Sequence, residues 1–214
     1  MEAQLVYDEN GGLALESGGM RLQGDFSRMA RRLRPHNLNR ELLVRAARIR
    51  GVHGPLRAVD ATAGLGEDAL LLAAAGFDVT MFERDHAIAT LLRDALRRAR
   101  HDPHLATAAN RMTLVEADAI EGLQSLSTSP DVIYLDPMFP ARQKSAATNK
   151  KLQLFRTLEH PCTDAEAEAL MRAALEARPR KIVVKRPLKG PHLAGIKPSH
   201  SLAGKVVRYD VVVP

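Results

Sequence analysis

Between residues 56 and 184 the chain alternates short apolar runs, rich in β-branched residues, with longer segments whose apolar positions recur at helical spacing. The runs that we interpret as strands are 56–60, 77–83, 112–115, 132–135, 181–184 and, later, 206–213. The segments that we interpret as helices are 37–50, 67–75, 86–100, 119–126, 151–158 and 165–178. Repeated strand–helix units favour a parallel sheet that helices cover on both faces, so the sequence predicts a Rossmann-like α/β fold.

Residues 1–36 do not follow this alternation. The dipeptide Asn10-Gly11 lies between two short apolar runs, which is typical of a β-hairpin, and the basic, irregular stretch 21–36 follows it. We therefore divide the chain into a small N-terminal hairpin extension, residues 1–36, and one α/β domain, residues 37–214.

Composition narrows the classes of function. Lys and Arg number 31 against 25 Asp and Glu, and this net charge of +6 favours a polyanionic partner such as a nucleic acid. Cys162 is the single cysteine, which excludes an internal disulfide, and the histidines lack metal-ligand spacing, so we predict no metal. We see neither a membrane-spanning run nor a secretory signal after Met1, and we expect a cytoplasmic protein without a membrane partner.

A glycine-rich turn at residues 60–68 joins the first strand of the alternation to a helix. Gly64 and Gly66 permit a tight turn, and backbone N–H groups at the start of the helix can face a ligand there. Many ordinary strand–helix turns share this pattern. Glu67 and Asp68 would lie beside the pyrophosphate of a dinucleotide, which is unfavourable, whereas they suit the sulfonium and ammonium of S-adenosylmethionine (SAM).

Four successive strands are each followed or ended by an acidic residue: Asp60, Glu83, Asp118 and Asp136. The carboxyl ends of parallel strands meet in one crevice, so we expect these side chains to converge. There, Glu83 can accept both hydroxyls of an adenosine ribose, and Asp118 can face the adenine edge.

The strand at 132–135 runs directly into Asp136-Pro137-Met138-Phe139-Pro140. This loop resembles the Asp/Asn-Pro-Pro-Tyr/Phe signature of methyltransferases that act on exocyclic amines of bases, with Met138 in place of the second proline. Such an amine is a weak nucleophile, and Asp136 and the Pro137 carbonyl can accept its two N–H groups. Proline fixes these acceptors, and Phe139 offers a face for an extruded base. Asp136, Pro137 and Phe139 are therefore the candidate catalytic residues.

Over residues 56–214 the chain resembles the RsmJ-type methyltransferases of guanine N2 in small-subunit ribosomal RNA. The stretches that carry the resemblance are 59–66, 81–84, 132–140, 143–146, 150–151 and 183–187. The resemblance implies a mostly parallel, seven-stranded class I methyltransferase fold, SAM as the cofactor and a guanine of 16S rRNA, alone or in the small ribosomal subunit, as the target. It implies SAM contacts at Glu67, Asp68, Glu83, Arg84, Asp118, Ala119 and Asp136. With the turn, the candidate cofactor site also contains Asp60, Ala61, Gly64 and Gly66.

Two groups of basic residues follow strands and are candidates for RNA binding. We interpret them as a phosphate-binding rim around the base pocket, although a solvated charged surface explains them equally well. The two groups are Arg142, Lys144, Lys150 and Lys151 after the loop, and Lys185 and Arg186 after the fifth strand.

Other functions stay open from the residues alone. The same loop could methylate another amine, on DNA or on a protein side chain. The fold could also serve a non-catalytic RNA-binding protein. Cys162 follows Pro161, as the nucleophile of cytosine C5 methyltransferases follows a proline, but that nucleophile belongs after the fourth strand, so we interpret Cys162 as a small structural residue.

Overall fold

The structure is a computed structural model that describes residues 3–52, 54–138 and 162–214. Its strands are β1 (Gln4–Tyr7), β2 (Leu13–Ser17), β3 (Met20–Gln23), β4 (Leu56–Asp60), β5 (Phe77–Glu83), β6 (Met112–Glu116), β7 (Val132–Leu135), β8 (Lys181–Pro187), β9 (His200–Ala203) and β10 (Val207–Val212). Its α-helices are α1 (Pro35–Leu38), α2 (Leu42–Ala47), α3 (Glu67–Ala74), α4 (His86–Ala99), α5 (Ala106–Ala109), α6 (Ala119–Gln124) and α7 (Asp164–Glu176). None of the helices in these ranges is long and apolar enough to cross a membrane.

Within the described ranges the main sheet has seven strands in the order β6-β5-β4-β7-β8-β10-β9. Strands β4 to β8 pair in parallel, and β10 runs antiparallel to both β8 and β9. This confirms the predicted fold class. Strand β4 pairs with β5 on one side and β7 on the other, so the chain changes direction across the sheet between β4 and β7. In open α/β sheets, ligands bind at such a switch point, outside the carboxyl ends of the strands.

Both faces of the sheet are buried, which is why its strands read as nearly continuous apolar runs. All four residues of β7 are buried, and alternate residues contribute to the two cores. Tyr134 packs with α3 and α4 on one face, and Ile133 packs with α7 on the other. The helix α7 begins in a capping box in which Thr163 and Glu166 each accept a backbone N–H of the other.

The N-terminal strands β1, β2 and β3 form a separate antiparallel sheet. It packs against α4 through a small apolar cluster that includes Leu22 and Leu91. The Leu13 N–H donates a 2.9 Å hydrogen bond to Asp94 of α4, which is 8% exposed. Further along, Phe26 and Met29 belong to the main core, so the N-terminal residues share that core with the α/β domain. The division at residue 36 stays a prediction.

The structure differs from the predicted elements at several places. The stretch interpreted as irregular contains strand β3, and strand β9 before β10 was missed. The helix predicted over 37–50 is instead two short helices, α1 and α2, because Glu41 between them has an extended backbone (ψ 126°). Both carboxylate oxygens of Glu41 accept hydrogen bonds from the Arg32 guanidinium, at 2.7 and 2.8 Å, and this bidentate pair holds the break in place. The helix predicted over 151–158 lies outside the described residues.

We expect Asp94→Asn to lower the free energy of unfolding by about 1–3 kcal/mol at neutral pH, because it weakens charge-assisted bonds to buried groups. Burial alone would raise the pKa of Asp94, but the Leu13 N–H and the Arg97 and Arg98 side chains hold it below its ordinary value. The stabilisation is therefore present above the unfolded-state pKa of about 4 and is lost as the pH falls through the lower folded-state pKa.

Urea unfolding of both proteins across the acid range measures this difference, which should shrink as the pH falls. Asp78→Asn is the control, since it removes a carboxylate from an exposed ion pair with Arg111. An Asp94→Asn penalty that does not change with pH would contradict the assigned charge interaction.

Candidate active site

A cavity of about 850 Å³ opens at the carboxyl ends of the parallel strands, at the switch point between β4 and β7. All of the predicted cofactor-site residues line it: Asp60, Ala61, Gly64, Gly66, Glu67, Asp68, Glu83, Arg84, Asp118, Ala119 and Asp136. Residues that are far apart in the chain thus converge as the strand-end pattern predicted. Their individual contacts with a ligand stay predictions.

The glycine turn is ordered by a buried carboxylate. Glu83 is 5% exposed and accepts one hydrogen bond from the Gly64 N–H and one from the Asp85 N–H, both at 2.9 Å. Burial raises the pKa of Glu83, and these backbone bonds oppose the rise. Each carboxylate oxygen accepts more than one hydrogen bond, so Glu83 can hold the turn and still bind ribose hydroxyls. Gly66 begins α3 with a φ of +75°, and a Cβ there would lie 2.7 Å from Leu92.

Asp60, at the end of β4, has no exposed surface. One of its carboxylate oxygens, Oδ1, accepts the Thr62 N–H at 3.0 Å. The other, Oδ2, is buried and has no hydrogen-bond partner among the described residues. Burial raises the pKa of Asp60 to about 8. An orphaned carboxylate oxygen on the cavity wall fits the ammonium or sulfonium of SAM, because a cation there would stabilise its ionised form.

The wall between β5 and α7 carries three paired charged groups. Asp118 caps α6 by accepting the Ile120 N–H at 2.8 Å. The Arg84 guanidinium lies 3.8 Å from Asp118 and 3.7 Å from Glu166, so it links the start of α6 to the start of α7. Arg84 is 59% exposed, which leaves its planar face accessible at the edge of the cavity.

The loop after β7 is fixed to the glycine turn at its first residue. The Asp136 N–H donates a 2.7 Å hydrogen bond to Thr62 Oγ1. The Lys185 ammonium lies 2.9 Å from Asp136 Oδ2 and 2.8 Å from Asp68 Oδ2. The Tyr134 hydroxyl donates to the same Asp68 oxygen at 2.6 Å. The start of the loop is therefore tied to β4, α3 and β8, and Pro137 and Met138 continue along the cavity wall.

The interpretation of Lys185 and Arg186 as part of an exposed phosphate-binding rim is wrong in its geometry. Strand β8 continues to Pro187, beyond the predicted end at residue 184, so both residues belong to the sheet. Arg186 is 2% exposed, and its Nε donates to the Pro191 carbonyl at 2.6 Å. Lys185 lies in the ion-pair network. Lys185 also pairs with Asp68 and compensates its negative charge. Asp68 therefore repels a pyrophosphate less than the sequence suggested.

Several other predicted residues lie outside the described ranges, and their roles stay predictions: the candidate catalytic residue Phe139 and the candidate RNA contacts Arg142, Lys144, Lys150 and Lys151. Cys162 is described and lines the cavity, where its N–H donates to the Met138 carbonyl at 2.8 Å. Burial raises the pKa of its thiol, which disfavours the nucleophilic thiolate and agrees with the structural role that we predicted.

Sequence reasoning missed some residues of the site. Thr62 and Tyr134 each carry a hydroxyl in an otherwise small or apolar segment, and that contrast was a usable signal. Leu22, which was also missed, reaches the cavity from the N-terminal region, as does Arg28 of the basic stretch 21–36, which the sequence had suggested as a further contributor to the phosphate-binding rim. Their position depends on how that region folds back over α4, which no local pattern indicates.

The strand order, the antiparallel β10 and the acidic strand ends around one cavity define the class I SAM-dependent methyltransferases. A family model described as "Putative SAM-dependent methyltransferase" matches residues 4–214. Relatives named ribosomal RNA small subunit methyltransferase J also match the chain. The one from Thioalkalivibrio sulfidiphilus is 45% identical over 90% of this chain and 76% of its own length. The one from Stutzerimonas stutzeri is 50% identical over 72% of this chain, and the match spans 60% of its own length.

Among solved structures, a SAM-dependent methyltransferase from Neisseria gonorrhoeae is similar over 99% of this chain and 83% of its own, with a TM-score of 0.76 and 30% identity. The chain therefore belongs to the RsmJ-type family of SAM-dependent methyltransferases, and this confirms the resemblance drawn from its motifs.

We expect wild-type protein to release protons when it binds SAM near pH 7. Asp60, with its pKa of about 8, is mostly protonated in the free protein, and a bound cation lowers that pKa. Calorimetric titration in two buffers of different ionisation enthalpy measures the released protons. Asp60→Asn should bind SAM about tenfold more weakly and release fewer protons, because its side chain does not titrate.

The exposed variant Asp78→Asn serves as the control and should match wild type in both quantities. Equal proton release by Asp60→Asn and wild type would show that Asp60 is not the group coupled to the donor.

Proposed function

We propose that the protein transfers a methyl group from SAM to the exocyclic N2 amine of a guanine in small-subunit ribosomal RNA. The observation that carries this proposal is the position of Asp136-Pro137 at the switch point, in the same cavity as the acidic strand ends. The name of the relatives, ribosomal RNA small subunit methyltransferase J, supports the choice of substrate. The proposed partner is 16S rRNA, alone or in the small ribosomal subunit, and the proposed location is the cytoplasm, where ribosomes work.

The residues of the site would act mainly by positioning. Asp136 accepts one N–H of the target amine, and the Pro137 carbonyl accepts the other, so the nitrogen lone pair points toward the donor. SAM supplies an electrophilic methyl group on a sulfonium. During transfer the nitrogen–carbon bond would form as the carbon–sulfur bond breaks with its electron pair left on sulfur. Asp136 or water would take the extra proton from the nitrogen.

Charge supports a nucleic-acid substrate. The chain has a net charge of +6, and Arg28, which is 83% exposed, lies at the cavity edge. Cations around a base pocket would contact phosphates and fix the orientation of the RNA, whereas the base contacts in the cavity would select the nucleotide. The predicted contacts after the loop would extend this surface.

Two alternatives predict different outcomes. A methyltransferase for another amine would label DNA or protein instead of RNA. A non-catalytic RNA-binding protein would bind RNA without affinity for SAM. Incubation of purified protein with methyl-labelled SAM and separate pools of ribosomal particles, naked rRNA, DNA and protein distinguishes these cases. Nuclease mapping of the labelled nucleotide then tests the guanine N2 assignment directly.

We expect Asp136→Ala to lower the rate of methyl transfer by about 100- to 1,000-fold, because it removes a charged acceptor aligned with the amine. The circular dichroism spectrum should change little, since Lys185 keeps Asp68 as a partner. The control is Asp131→Ala, which removes a carboxylate that contacts the Arg180 side chain and the Arg57 N–H, outside the cavity lining. Wild-type turnover by folded Asp136→Ala would remove Asp136 from the mechanism.

A further inference from the structure

Among the lysines that the structure describes, Lys185 has two carboxylate partners that both line the active-site cavity. Its ammonium lies 2.8 Å from Asp68 Oδ2 on α3 and 2.9 Å from Asp136 Oδ2 after β7. The last residue pair of the β7–β8 ladder is Leu135 with Val184, so Asp136 and Lys185 are the next residues along these neighbouring strands. The sheet itself therefore brings the ammonium to the loop.

This arrangement is not suited to binding phosphate. The Lys185 side chain is 26% exposed, and two carboxylates already use its donors. A phosphate that approached it would meet both negative charges. In contrast, the ammonium is well placed to act on Asp136, which the proposed mechanism uses as the acceptor of the amine N–H.

We propose that Lys185 is a positioning residue for methyl transfer: it fixes the orientation of the Asp136 carboxylate and keeps it ionised beside Asp68. This inference rests on the proposed function, in which Asp136 accepts a hydrogen bond from the target amine. It replaces the RNA-binding role that the sequence suggested for Lys185.

The geometry shows why a cation is needed between the two carboxylates. Asp68 Oδ2 and Asp136 Oδ2 both contact the Lys185 ammonium, so the two negative charges lie within a few ångströms of each other. Without the cation, two such carboxylates would tend to share one proton, as like charges do at close range. A protonated Asp136 is a weaker acceptor for an N–H group and no longer has a fixed orientation. Lys185 prevents this.

Three neighbouring side chains, those of Thr62, Lys185 and Tyr134, fix the orientation of Asp136 directly or through Asp68. The Asp136 N–H is held by Thr62 Oγ1 at 2.7 Å, and its side chain by Lys185. Asp68 is held in turn by the Tyr134 hydroxyl at 2.6 Å, so the ammonium has a fixed second partner. One carboxylate oxygen of Asp136, Oδ2, is used by Lys185, which leaves Oδ1 for the target amine.

Other titratable groups surround this pair and act on its protonation. Burial and Asp68 raise the pKa of Asp136, while Lys185 lowers it. Burial would lower the pKa of Lys185, but the two carboxylates raise it above its ordinary value. Other charged or titratable groups that interact electrostatically with Asp68, Asp136 or Lys185 are Asp60 on β4, Tyr134 on β7, Arg186 on β8, Tyr209 on β10 and Arg32 before α1.

The test is the pH dependence of kcat for methyl transfer to ribosomal particles at saturating SAM. For Lys185→Met we expect the midpoint of the acid limb to move upward by about one pH unit or more, and kcat at pH 7 to fall at least tenfold. Lys185→Arg should return the midpoint toward wild type. The double variant Asp68→Asn/Lys185→Met should also do so, because it removes the competing carboxylate.

Lys181→Met is the matched control, since it removes a half-buried lysine of the same strand whose ammonium contacts the carbonyls of Ala46 and Arg48. Its acid limb should stay at the wild-type position. An unmoved acid limb and wild-type kcat in Lys185→Met would overturn the proposal. So would a loss of activity with no change in midpoint and no recovery in Lys185→Arg, which would mark a purely structural lysine.

The role of Lys185 can also be tested without an RNA substrate. A ¹³C NMR titration of aspartate-labelled protein, with the Asp136 carboxyl assigned by Asp136→Asn, measures the Asp136 pKa directly. We expect a higher Asp136 pKa in Lys185→Met than in wild type, and equal values would overturn the inference. If wild-type protein methylated no RNA, the proposed function would fail, while this titration would still decide whether Lys185 keeps Asp136 ionised.

Discussion

The burial of carboxylates at the carboxyl ends of parallel strands is the constraint on which the site depends. A buried carboxylate is costly unless hydrogen bonds or a cation compensate it. Glu83 receives two backbone N–H groups, Asp136 receives Lys185, and Asp60 retains an oxygen without a described partner. The carboxylate charges are thus compensated to different degrees across the cavity. A cationic ligand would gain the most binding energy beside Asp60, where compensation is least.

This uneven compensation divides the cavity between two tasks. On the β5 side, Glu83 is held by main-chain N–H groups of the glycine turn and of Asp85 at the start of α4, and Asp118 by one at the start of α6. This suits the recognition of hydroxyls and an adenine edge. On the β7 side, Asp136 is held by the side chains of Thr62 and Lys185. The Lys185 ammonium acts on both the protonation and the orientation of Asp136, and this is the side where transfer is proposed to occur.

The sequence predicted those parts of the fold that local pattern determines. The strands β4, β5 and β7 have the predicted bounds, because each is a buried apolar run closed by a turn or an acidic residue. Strand β9 was missed because the four residues His200–Ala203 show no clear alternation, and their pairing with β10 defines the strand. The break between α1 and α2 depends on the Arg32–Glu41 pair, which brings together residues whose contact no helical spacing predicts.

In the candidate site, too, some residues could be predicted from local sequence pattern, and others depend on tertiary pairing. Acidic strand ends converge because sheet topology requires it, so Asp60, Glu83, Asp118 and Asp136 could be assigned to one crevice from the sequence. The role of Lys185 could not, since a Lys-Arg-Pro sequence after an apolar run also ends a strand at a solvated edge. Here β8 extends past that point because β10 pairs with it as far as Pro187, and this pairing carries Lys185 into the cavity.

The N-terminal residues are structurally coupled to the cofactor side of the site. Phe26 and Leu92 both pack where a Cβ at Gly66 would lie, so the glycine turn is shaped by α4 and by the N-terminal segment together. The Leu13–Asp94 hydrogen bond holds the N-terminal sheet on the same helix. Asp85 caps the start of α4, and its N–H donates a hydrogen bond to Glu83, so the path from the N-terminal sheet to the proposed ribose-binding carboxylate runs through one helix. A substitution that disturbs the N-terminal sheet should therefore weaken SAM binding more than it displaces Asp136, because Asp136 is held instead by β7 and β8.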